Sequence, residues 1–555
     1  MNFSELKNII DGELTVDDAV LTRYSRDASI FEVKPELVIH PKDATDVKKI
    51  ISWVSVQKPN HPDLSITARS AGTDMSGGPL NNSIILDFTK YFNRILDLEV
   101  DLEGAPFHDG RVPLPGLAGY ALTEPGVYYR DFEKETLKKN LLMPAYPASR
   151  EICTIGGMVA NNSGGEKSLS YGKTDRYVQE LNAALSDGNE YVFKALNKDE
   201  VEQKKAQQDF EGQIYRQMDE LIQSNREIIA KAKPDVSKNS AGYALWDVFD
   251  GNTFDLTKLF VGSQGTLGLI TKIKLKLINP KKYSKLLVIF LNDLAPLGDL
   301  VNTVMTFKPE SFESYDDKTL RLALKFFPRL KGYLFKFLPE FWMLLTGGMP
   351  KLVLLAEFTG DSEIEVDQKV KDAQQAVATR FGVKTHITHS TAEAQKYWAV
   401  RRESFNLLRK HVGREHTAPF IDDVIVHVEQ LSEFLPKLNE LIGQYKGLTY
   451  TIAGHAGDAN FHIIPLMDFR REENRKAISE LSDKVYDLVI SLRGSITAEH
   501  NDGLIRTPYL EKMYGREVVE LFKKTKEIFD PLNIFNPGKK VGANPEYINS
   551  HIVKE

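Results

Sequence analysis

Two histidines seven residues apart have side-chain types and a spacing that could support chemistry. His455 and His462 lie in the run GHAGDANFH, residues 454–462. On a straight strand, an odd spacing would place the two rings on opposite faces. We expect the turn around Gly457 to redirect the chain, so that both imidazoles converge on one point.

A carboxylate and a third histidine follow in the run TAEHNDG, residues 497–503. The carboxylate of Glu499 and the imidazoles of His455 and His462 would form an open site for a divalent metal ion, Zn²⁺ or Mn²⁺. The alternative is that His455 and His462 are structural histidines, which is the commoner role for any one of the 12 histidines.

Two glycine-rich loops could hold a diphosphate. They are RSAGTDMSGG, residues 69–78, and PASREICTIGGMVANNSGG, residues 147–165, and we expect each to follow a strand. Glycine allows backbone N–H groups to approach phosphate oxygens closely, and Ser, Thr and Asn add donors. Neither loop matches the Rossmann fingerprint or the P-loop, so an NAD site and an NTPase site are disfavoured. Each loop alone could also be a simple turn.

Three segments carry a family resemblance: ITARSAGTDMSGG, PASREICTIGGMVANNSGGEKSLSYGKTDRYV and FVGSQGTLGLITKIKLKL. They resemble the FAD-binding domain of the vanillyl-alcohol oxidase type, in the branch of D-lactate dehydrogenase, glycolate oxidase and D-2-hydroxyglutarate dehydrogenase. The resemblance runs from about Lys34 to Gly538. The run AEHNDGLIRTPYLEKMYG is most similar to relatives that continue into a cysteine-rich iron–sulfur domain. The implied fold is α+β, an FAD-binding domain of two α+β subdomains with an α+β cap or substrate domain.

The resemblance assigns FAD contacts to both loops, to the GTLG segment and to the C-terminal tail. The residues are Arg69, Ser70, Ala71, Gly72, Thr73, Gly77, Pro147, Ser149, Thr154, Gly156, Gly157, Asn162, Ser163, Gly165, Gly265, Ile270 and Asn536. Covalent members carry a histidine where this chain has Thr73, so we expect non-covalent FAD. Gln264 stands where relatives often have glutamate, and Asn501 where they often have glycine.

The resemblance also assigns roles in catalysis. In the family patterns G-H-x-G-D-x-N-x-H and E-H-G, His455, His462 and Glu499 would bind the metal, and His500 would be the general base. The W-x-x-R pattern places a substrate-carboxylate clamp on Arg401, because the arginine fork binds carboxylates through two hydrogen bonds. Without the resemblance, the Arg401-Arg402 pair would be interpreted as solvated helix surface. Arg506 is a second, weaker candidate.

The elements that must position these residues divide the chain into four parts. We predict an N-terminal helical segment (1–33), an FAD-binding domain (34–280), a cap or substrate domain (281–510), and a C-terminal helix with a tail that returns to the flavin (511–555). A hairpin is expected at Asp187-Gly188, and the alternating run KIKLKL predicts a half-exposed strand at the end of the FAD-binding domain. We predict one solvated helix over residues 198–226.

Composition excludes several classes of protein. The 555 residues carry 71 Lys and Arg against 77 Asp and Glu, which argues against a nucleic-acid partner. One cysteine, Cys153, cannot form an internal disulfide, a cysteine zinc site or an iron–sulfur cluster. No signal peptide or membrane span is recognisable, so we expect a cytoplasmic protein, with contact to the inner face of the membrane as an alternative. Residues 321–345 suit an interfacial membrane element or, as we favour, a packed insertion.

Together these features predict FAD-dependent oxidation of a 2-hydroxy acid to the 2-oxo acid by hydride transfer to flavin. A D-lactate-like substrate is favoured, with glycolate and 2-hydroxyglutarate as alternatives. Electrons would pass to an external acceptor: a quinone, an electron-transfer protein or a separate iron–sulfur subunit. One alternative is a flavin subunit of a multi-chain glycolate or D-lactate oxidoreductase. A lesser one is a non-catalytic FAD-binding protein.

Overall fold

The computed structural model describes residues 3–100, 117–326, 349–411, 415–445 and 447–554, with side chains described except at 322–326 and 403–411. These residues form three β-sheets with helices packed on them, which confirms the predicted α+β class. No described helix is both long and apolar enough to cross a membrane. The segment 321–345, for which we favoured a packed insertion over an interfacial membrane element, lies outside the described residues from 327 onward.

The first sheet has four strands in the order β1-β2-β4-β3, and β4 pairs in parallel with β2 and with β3. Helix α3 (Ala44–Gln57) connects β2 to β3. Asp43 caps its first turn by accepting from the backbone N–H groups of Thr45 and Asp46. Its apolar side chains pack in one core with the strands. The strands are β1 (Glu13–Thr15), β2 (Leu37–His40), β3 (Ile66–Arg69) and β4 (Ile84–Asp87).

The second sheet is antiparallel, in the order β5-β6-β9-β7-β8. The predicted hairpin at Asp187-Gly188 is confirmed between β7 and β8, with Gly188 at φ +81°. The alternation predicted in β9 holds in part: Ile273 and Leu275 are buried and Lys274 is half-buried, but Lys276 is buried where a half-exposed side chain was expected. The strands are β5 (Ile95–Val100), β6 (Leu117–Thr123), β7 (Val178–Ala184), β8 (Glu190–Lys194) and β9 (Leu269–Ile278).

The third sheet carries the residues with candidate chemistry. Its main path is β13-β10-β12-β11-β16-β17-β14, and β15 pairs with β17. Every pairing described in this sheet is antiparallel. The strands are β10 (Tyr283–Leu291), β11 (Ser311–Asp316), β12 (Leu352–Gly360), β13 (Lys384–Ile387), β14 (His416–Thr417), β15 (Val424–Ile425), β16 (Thr449–His455) and β17 (Asn460–Met467).

Helices surround the three sheets. The first ten are α1 (Ser4–Ile9), α2 (Asp18–Tyr24), α3 (Ala44–Gln57), α4 (Tyr129–Leu137), α5 (Ile155–Asn161), α6 (Ser168–Tyr171), α7 (Lys198–Ala206), α8 (Phe210–Ser224), α9 (Arg226–Ala232) and α10 (Thr257–Phe260). The later ones are α11 (Leu297–Met305), α12 (Asp317–Phe326), α13 (Glu363–Phe381), α14 (Thr391–His411), α15 (Leu431–Gly443), α16 (Glu472–Ser491), α17 (Gly503–Arg506), α18 (Leu510–Tyr514), α19 (Arg516–Phe529) and α20 (Pro545–Ser550).

Two helical predictions are corrected. Residues 198–226 do not form one solvated helix, because a break separates α7 from α8 and α8 buries Ile214, Tyr215 and Met218. The single helix predicted near the C-terminus is also interrupted. Gly515, at φ +78°, separates α18 from α19.

Candidate active site

A cavity of about 1090 Å³ is lined by both glycine loops, by the β16–β17 hairpin and by α14. This volume is at the upper end of ligand sites in proteins and suits a dinucleotide with a small substrate. Most of the predicted cofactor residues line it: Ser70, Ala71, Gly72, Thr73, Pro147, Ser149, Thr154, Gly156, Gly157, Ser163, Gly165, Gly265 and Ile270.

Four predicted cofactor residues, Arg69, Gly77, Asn162 and Asn536, lie behind the cavity wall instead. The guanidinium of Arg69 donates to the backbone carbonyls of Tyr24 and Arg26, so it supports the first loop from outside. The loop motif could not show on which side this side chain lies.

The other three also hold the wall together. Asn536 donates to the carbonyls of Gly78 and Gln264, which joins the first loop to the GTLG segment. Gly77 lies against Phe31 and Leu504. The side chain of Asn162 accepts from the backbone of Asp175.

The glycines of the wall fit a nucleotide cradle. A Cβ on Gly157 would come 3.6 Å from Cβ of Ser70, so the second loop passes close to the first. Gly72 and Gly265 both have φ +68°, a conformation that favours glycine. The prediction that both loops follow strands holds for the first, which follows β3, whereas the second follows α4.

The β16–β17 hairpin brings the two spaced histidines together, as predicted. His455 ends β16, a 3₁₀ turn over Ala456–Asp458 follows, and β17 pairs His462 with Ala453. The Nε2 atoms of His455 and His462 lie 3.4 Å apart. Their ring planes meet at 81°.

Glu499 completes a group of three metal-type ligands with these histidines. Its Oε2 lies 3.3 Å from Nε2 of His455, and one ligand atom from each of the three residues falls within a 4.8 Å span. Its other oxygen, Oε1, lies 2.7 Å from Nζ of the buried Lys238. Burial would raise the pKa of Glu499, but the adjacent ammonium of Lys238 holds this pKa well below its usual value. Glu499 therefore stays ionised, as a metal ligand must be.

Two buried carboxylates hold the imidazoles through their Nδ1 atoms. Oε1 of Glu313 lies 2.5 Å from Nδ1 of His455. Oδ1 of Asp422 lies 3.1 Å from Nδ1 of His462, and its Oδ2 lies 2.8 Å from Nδ1 of His500. With a proton on each Nδ1, the Nε2 lone pairs of His455 and His462 would face Glu499, the arrangement that favours metal binding.

The sequence motifs did not predict Glu313 or Asp422. Glu313 is one acidic residue inside a buried strand, and no local pattern distinguishes it. Asp422 and Asp423 carried a weak signal, since an acidic pair in the apolar run PFIDDVIV is unusual.

A shared anchor fixes the loop that carries His500. One oxygen of Asp423 accepts from the backbone N–H groups of Glu499 and His500, each at 2.7 Å. Asn501 sits at φ +69°, a left-handed conformation that favours glycine and that asparagine also adopts. Its amide donates to the carbonyl of Gly262 at 2.8 Å and so ties the loop to the GTLG segment.

His500 lines the cavity beside His462, with the two rings stacked at 4.9 Å. Burial would lower the pKa of His500, but the carboxylate of Asp422 raises it to about 9. A base paired in this way is stabilised once it has accepted a proton.

Arg401 lies on α14 and lines the same cavity. Its Nε donates to Oε2 of Glu313 at 3.0 Å. The neighbouring Arg402 forms two hydrogen bonds with Glu166 and stacks over Trp398.

Arg506, the weaker candidate for the clamp, is fully buried behind the wall. It donates to the carbonyls of Asn501 and Asp422, so it supports the His500 loop instead of contacting substrate.

Gln264 and Cys153 have clear structural roles. Nε2 of Gln264 donates to Ser76 Oγ, and its Oε1 accepts from the backbone of Gly503. An amide serves both bonds, whereas an ionised glutamate could only accept. Cys153 is buried in the second loop, and burial raises the pKa of its thiol to about 12, which suits a packing residue.

Two family models match the chain. The FAD binding domain matches residues 35–193, and the C-terminal domain of the FAD linked oxidases matches residues 280–540. The sequence is 28% identical to D-2-hydroxyglutarate dehydrogenase of Pseudomonas putida, over 95% of this chain and 50% of that protein. The chain thus spans about half the length of this curated relative.

Two other relatives are similar along nearly their full length. A glycolate oxidase subunit, GlcD, of Bacillus subtilis is 26% identical over 96% of this chain and 94% of the subunit. D-lactate dehydrogenase of Archaeoglobus fulgidus is 27% identical over 91% of each chain.

Solved structures share the fold at low sequence identity. The 4-ethylphenol oxidase of Gulosibacter chungangensis superposes with a TM-score of 0.68 at 15% identity, covering 98% of this chain and 97% of that enzyme. The p-cresol methylhydroxylase gives a TM-score of 0.68 at 15% identity, covering 97% and 95%. These likenesses confirm the predicted architecture, an FAD-binding domain of the vanillyl-alcohol oxidase type joined to an α+β cap.

Proposed function

Because the FAD binding domain and the C-terminal domain of the FAD linked oxidases both match this chain, we propose that it oxidises a 2-hydroxy acid to the 2-oxo acid with FAD as its cofactor. The observation that carries this proposal is the convergence of His455, His462, Glu499 and His500 on the wall of the cofactor cavity. D-lactate is the favoured substrate, and the relatives named for D-2-hydroxyglutarate, glycolate and D-lactate support the substrate class.

Both glycine loops would hold the FAD. When bound, FAD supplies the acceptor for the hydride that leaves the substrate carbon. Thr73, on the cavity wall, has no ring nitrogen with which to form a histidyl bond, so we propose a dissociable cofactor.

A divalent metal ion would be held by Nε2 of His455, Nε2 of His462 and Oε2 of Glu499. Such an ion supplies Lewis acidity toward the substrate oxygens. The donor set suits Zn²⁺ or Mn²⁺, and the Nδ1 contacts to Glu313 and Asp422 give the imidazoles the orientation that metal ligands need.

The protein's own residues then bind the acid and move its proton. Arg401 binds the substrate carboxylate through its planar guanidinium. His500 removes the hydroxyl proton, and the carboxylate of Asp422 stabilises the imidazolium that forms.

An external acceptor must reoxidise the flavin, and a quinone, an electron-transfer protein or a separate iron–sulfur subunit would serve. A second candidate function is therefore the flavin subunit of a multi-chain glycolate or D-lactate oxidoreductase. The match along nearly the full length of a glycolate oxidase subunit favours it. A non-catalytic FAD-binding protein fits less well, because every residue assigned to catalysis and metal binding is present.

Turnover by the FAD-loaded protein with a soluble dye tests this proposal. We expect the dye to be reduced and a 2-oxo acid to form with at least one D-2-hydroxy acid, while the L-enantiomer reacts more slowly. Turnover with the dye, but none with cell extract until a partner fraction is added, would favour the subunit function. No product with any acid of a D and L panel would contradict both.

A further inference from the structure

Glu313 lies between two groups that the proposed reaction uses. Its side chain is 2% exposed, and each of its carboxylate oxygens has a different partner. Oε1 lies 2.5 Å from Nδ1 of His455, and Oε2 accepts from Nε of Arg401 at 3.0 Å.

The third sheet delivers Glu313 to this position. β11 pairs with β16. Ser314 lies opposite Gly454, and Tyr315 lies opposite Ala453. The same antiparallel register places Glu313 beside His455. On the same face, Trp398 of α14 packs in one apolar cluster with Tyr315 and Ala453. The helix that carries Arg401 is thereby held over the carboxylate.

We infer that Glu313 is a positioning residue that sets the metal ligand His455 and the substrate-binding Arg401 at the same time. This inference rests on the proposed function and deepens it. A carboxylate that accepts from Nδ1 keeps a proton there and leaves the Nε2 lone pair for the metal. A hydrogen bond at Nε fixes the plane of the guanidinium, so the substrate carboxylate meets a fork that is already oriented.

Sharing one carboxylate couples the two sites. Loss of the Glu313 charge leaves His455 a weaker ligand and Arg401 a less ordered clamp. If His455 and Arg401 were held by separate residues, metal affinity and substrate binding could change independently. The inference therefore requires both effects from a single substitution.

The variant Glu313→Gln tests this coupling, because glutamine keeps the shape but can offer only one accepting oxygen. We expect the affinity of the FAD-loaded protein for Zn²⁺ and Mn²⁺, measured by equilibrium dialysis, to fall about 10–100-fold. The KM for D-lactate should rise in the same variant, while its FAD content and melting temperature stay near the wild-type values. Glu313→Asp keeps the charge and should recover part of the metal affinity.

A matched control is Glu211→Gln, which alters another buried carboxylate on the remote helix α8, where Glu211 pairs with Lys204 of α7. It should bind both metal ions and substrate like the wild type. Metal affinity and KM unchanged in Glu313→Gln would overturn the inference, as would a wild-type protein that binds neither ion. If Glu313→Gln fails to fold, wild-type metal affinity together with wild-type KM in Glu313→Asp overturns it.

These outcomes are separate from failure of the proposed function. That function fails only if no 2-hydroxy acid is oxidised by the wild-type protein. Oxidation by a wild-type protein whose metal affinity does not depend on Glu313 would leave the function standing and remove the inference.

Discussion

The carboxylate of Asp422 lies 2.8 Å from Nδ1 of His500, the proposed general base. Burial and Arg506 lower the pKa of this imidazole, but Asp422 and Asp423 raise it to about 9. A base must be neutral to accept a proton, so flavin reduction by substrate should become faster as pH rises toward 9.

Asp422→Asn removes the charge that raises the pKa of His500. The pH at which the rate reaches half of its plateau should therefore move down, toward the ordinary histidine range. The plateau itself should fall, because the imidazolium loses its stabilising partner. Stopped-flow measurement of flavin reduction between pH 6 and pH 10 checks both effects. A profile that stays at the wild-type position would remove Asp422 as the group that sets this pKa.

His500→Ala should abolish proton removal without disturbing the cofactor. His500 lines the cavity beside the stacked ring of His462, and the proposed FAD contacts lie in the glycine loops. We expect unchanged FAD content and a fall of about 10²–10⁴-fold in the rate of flavin reduction by D-lactate. Unimpaired reduction in this variant would exclude His500 as the base.

Lys238→Met should cost far more stability than removal of a surface lysine. Lys238 is buried and pairs with Asp458 at 2.9 Å and Glu499 at 2.7 Å, so its loss leaves two buried carboxylates without their cation. We expect the free energy of unfolding to fall by about 3–5 kcal/mol. Urea unfolding of the FAD-loaded protein measures this change.

The control for that experiment is Lys476→Met, which breaks an exposed pair with Glu472. Loss of this exposed pair should change the free energy of unfolding by less than about 1 kcal/mol. Equal effects of the two substitutions would contradict the structural role of Lys238.

Substitutions of Asn501 test whether the left-handed backbone of the His500 loop contributes to the stability of the protein. Asn501→Gly keeps φ +69° easily but loses three side-chain hydrogen bonds, to the carbonyls of Gly262 and Asn161 and from the backbone N–H of Asp502, at a cost of about 1 kcal/mol each. Asn501→Ala loses the same three bonds and adds strain of about 1–2 kcal/mol, because alanine disfavours positive φ. The melting temperature should therefore fall in the order wild type, Asn501→Gly, Asn501→Ala. A melting temperature of Asn501→Ala equal to or above that of Asn501→Gly would show that the loop relaxes to another conformation.

The sequence predicted the residues that lie in contiguous motifs and missed those that act across strands. His455, His462, Glu499 and His500 were found because a turn or a short run brings them together. Glu313 is 142 residues from His455 in the chain, and only the register of β11 against β16 makes them neighbours. No local pattern carries that information.

Motifs also could not show side-chain direction. Arg69 and Asn536 lie in segments that resemble FAD-binding runs, but their side chains hold the loops from behind the wall. The hairpin at Asp187-Gly188 and the strand at KIKLKL followed from local sequence patterns. The division of 198–226 into separate helices was missed, although Asp209 caps α8 by accepting from the backbone N–H of Gly212.

Anaerobic titration of the FAD-loaded protein with D-lactate tests the proposed oxidation most directly. The flavin absorbance should bleach, with stoichiometric formation of pyruvate, and the variant His500→Ala should stay oxidised over the same period. A flavin that dithionite reduces, but that neither D-lactate nor any other 2-hydroxy acid bleaches, would contradict it.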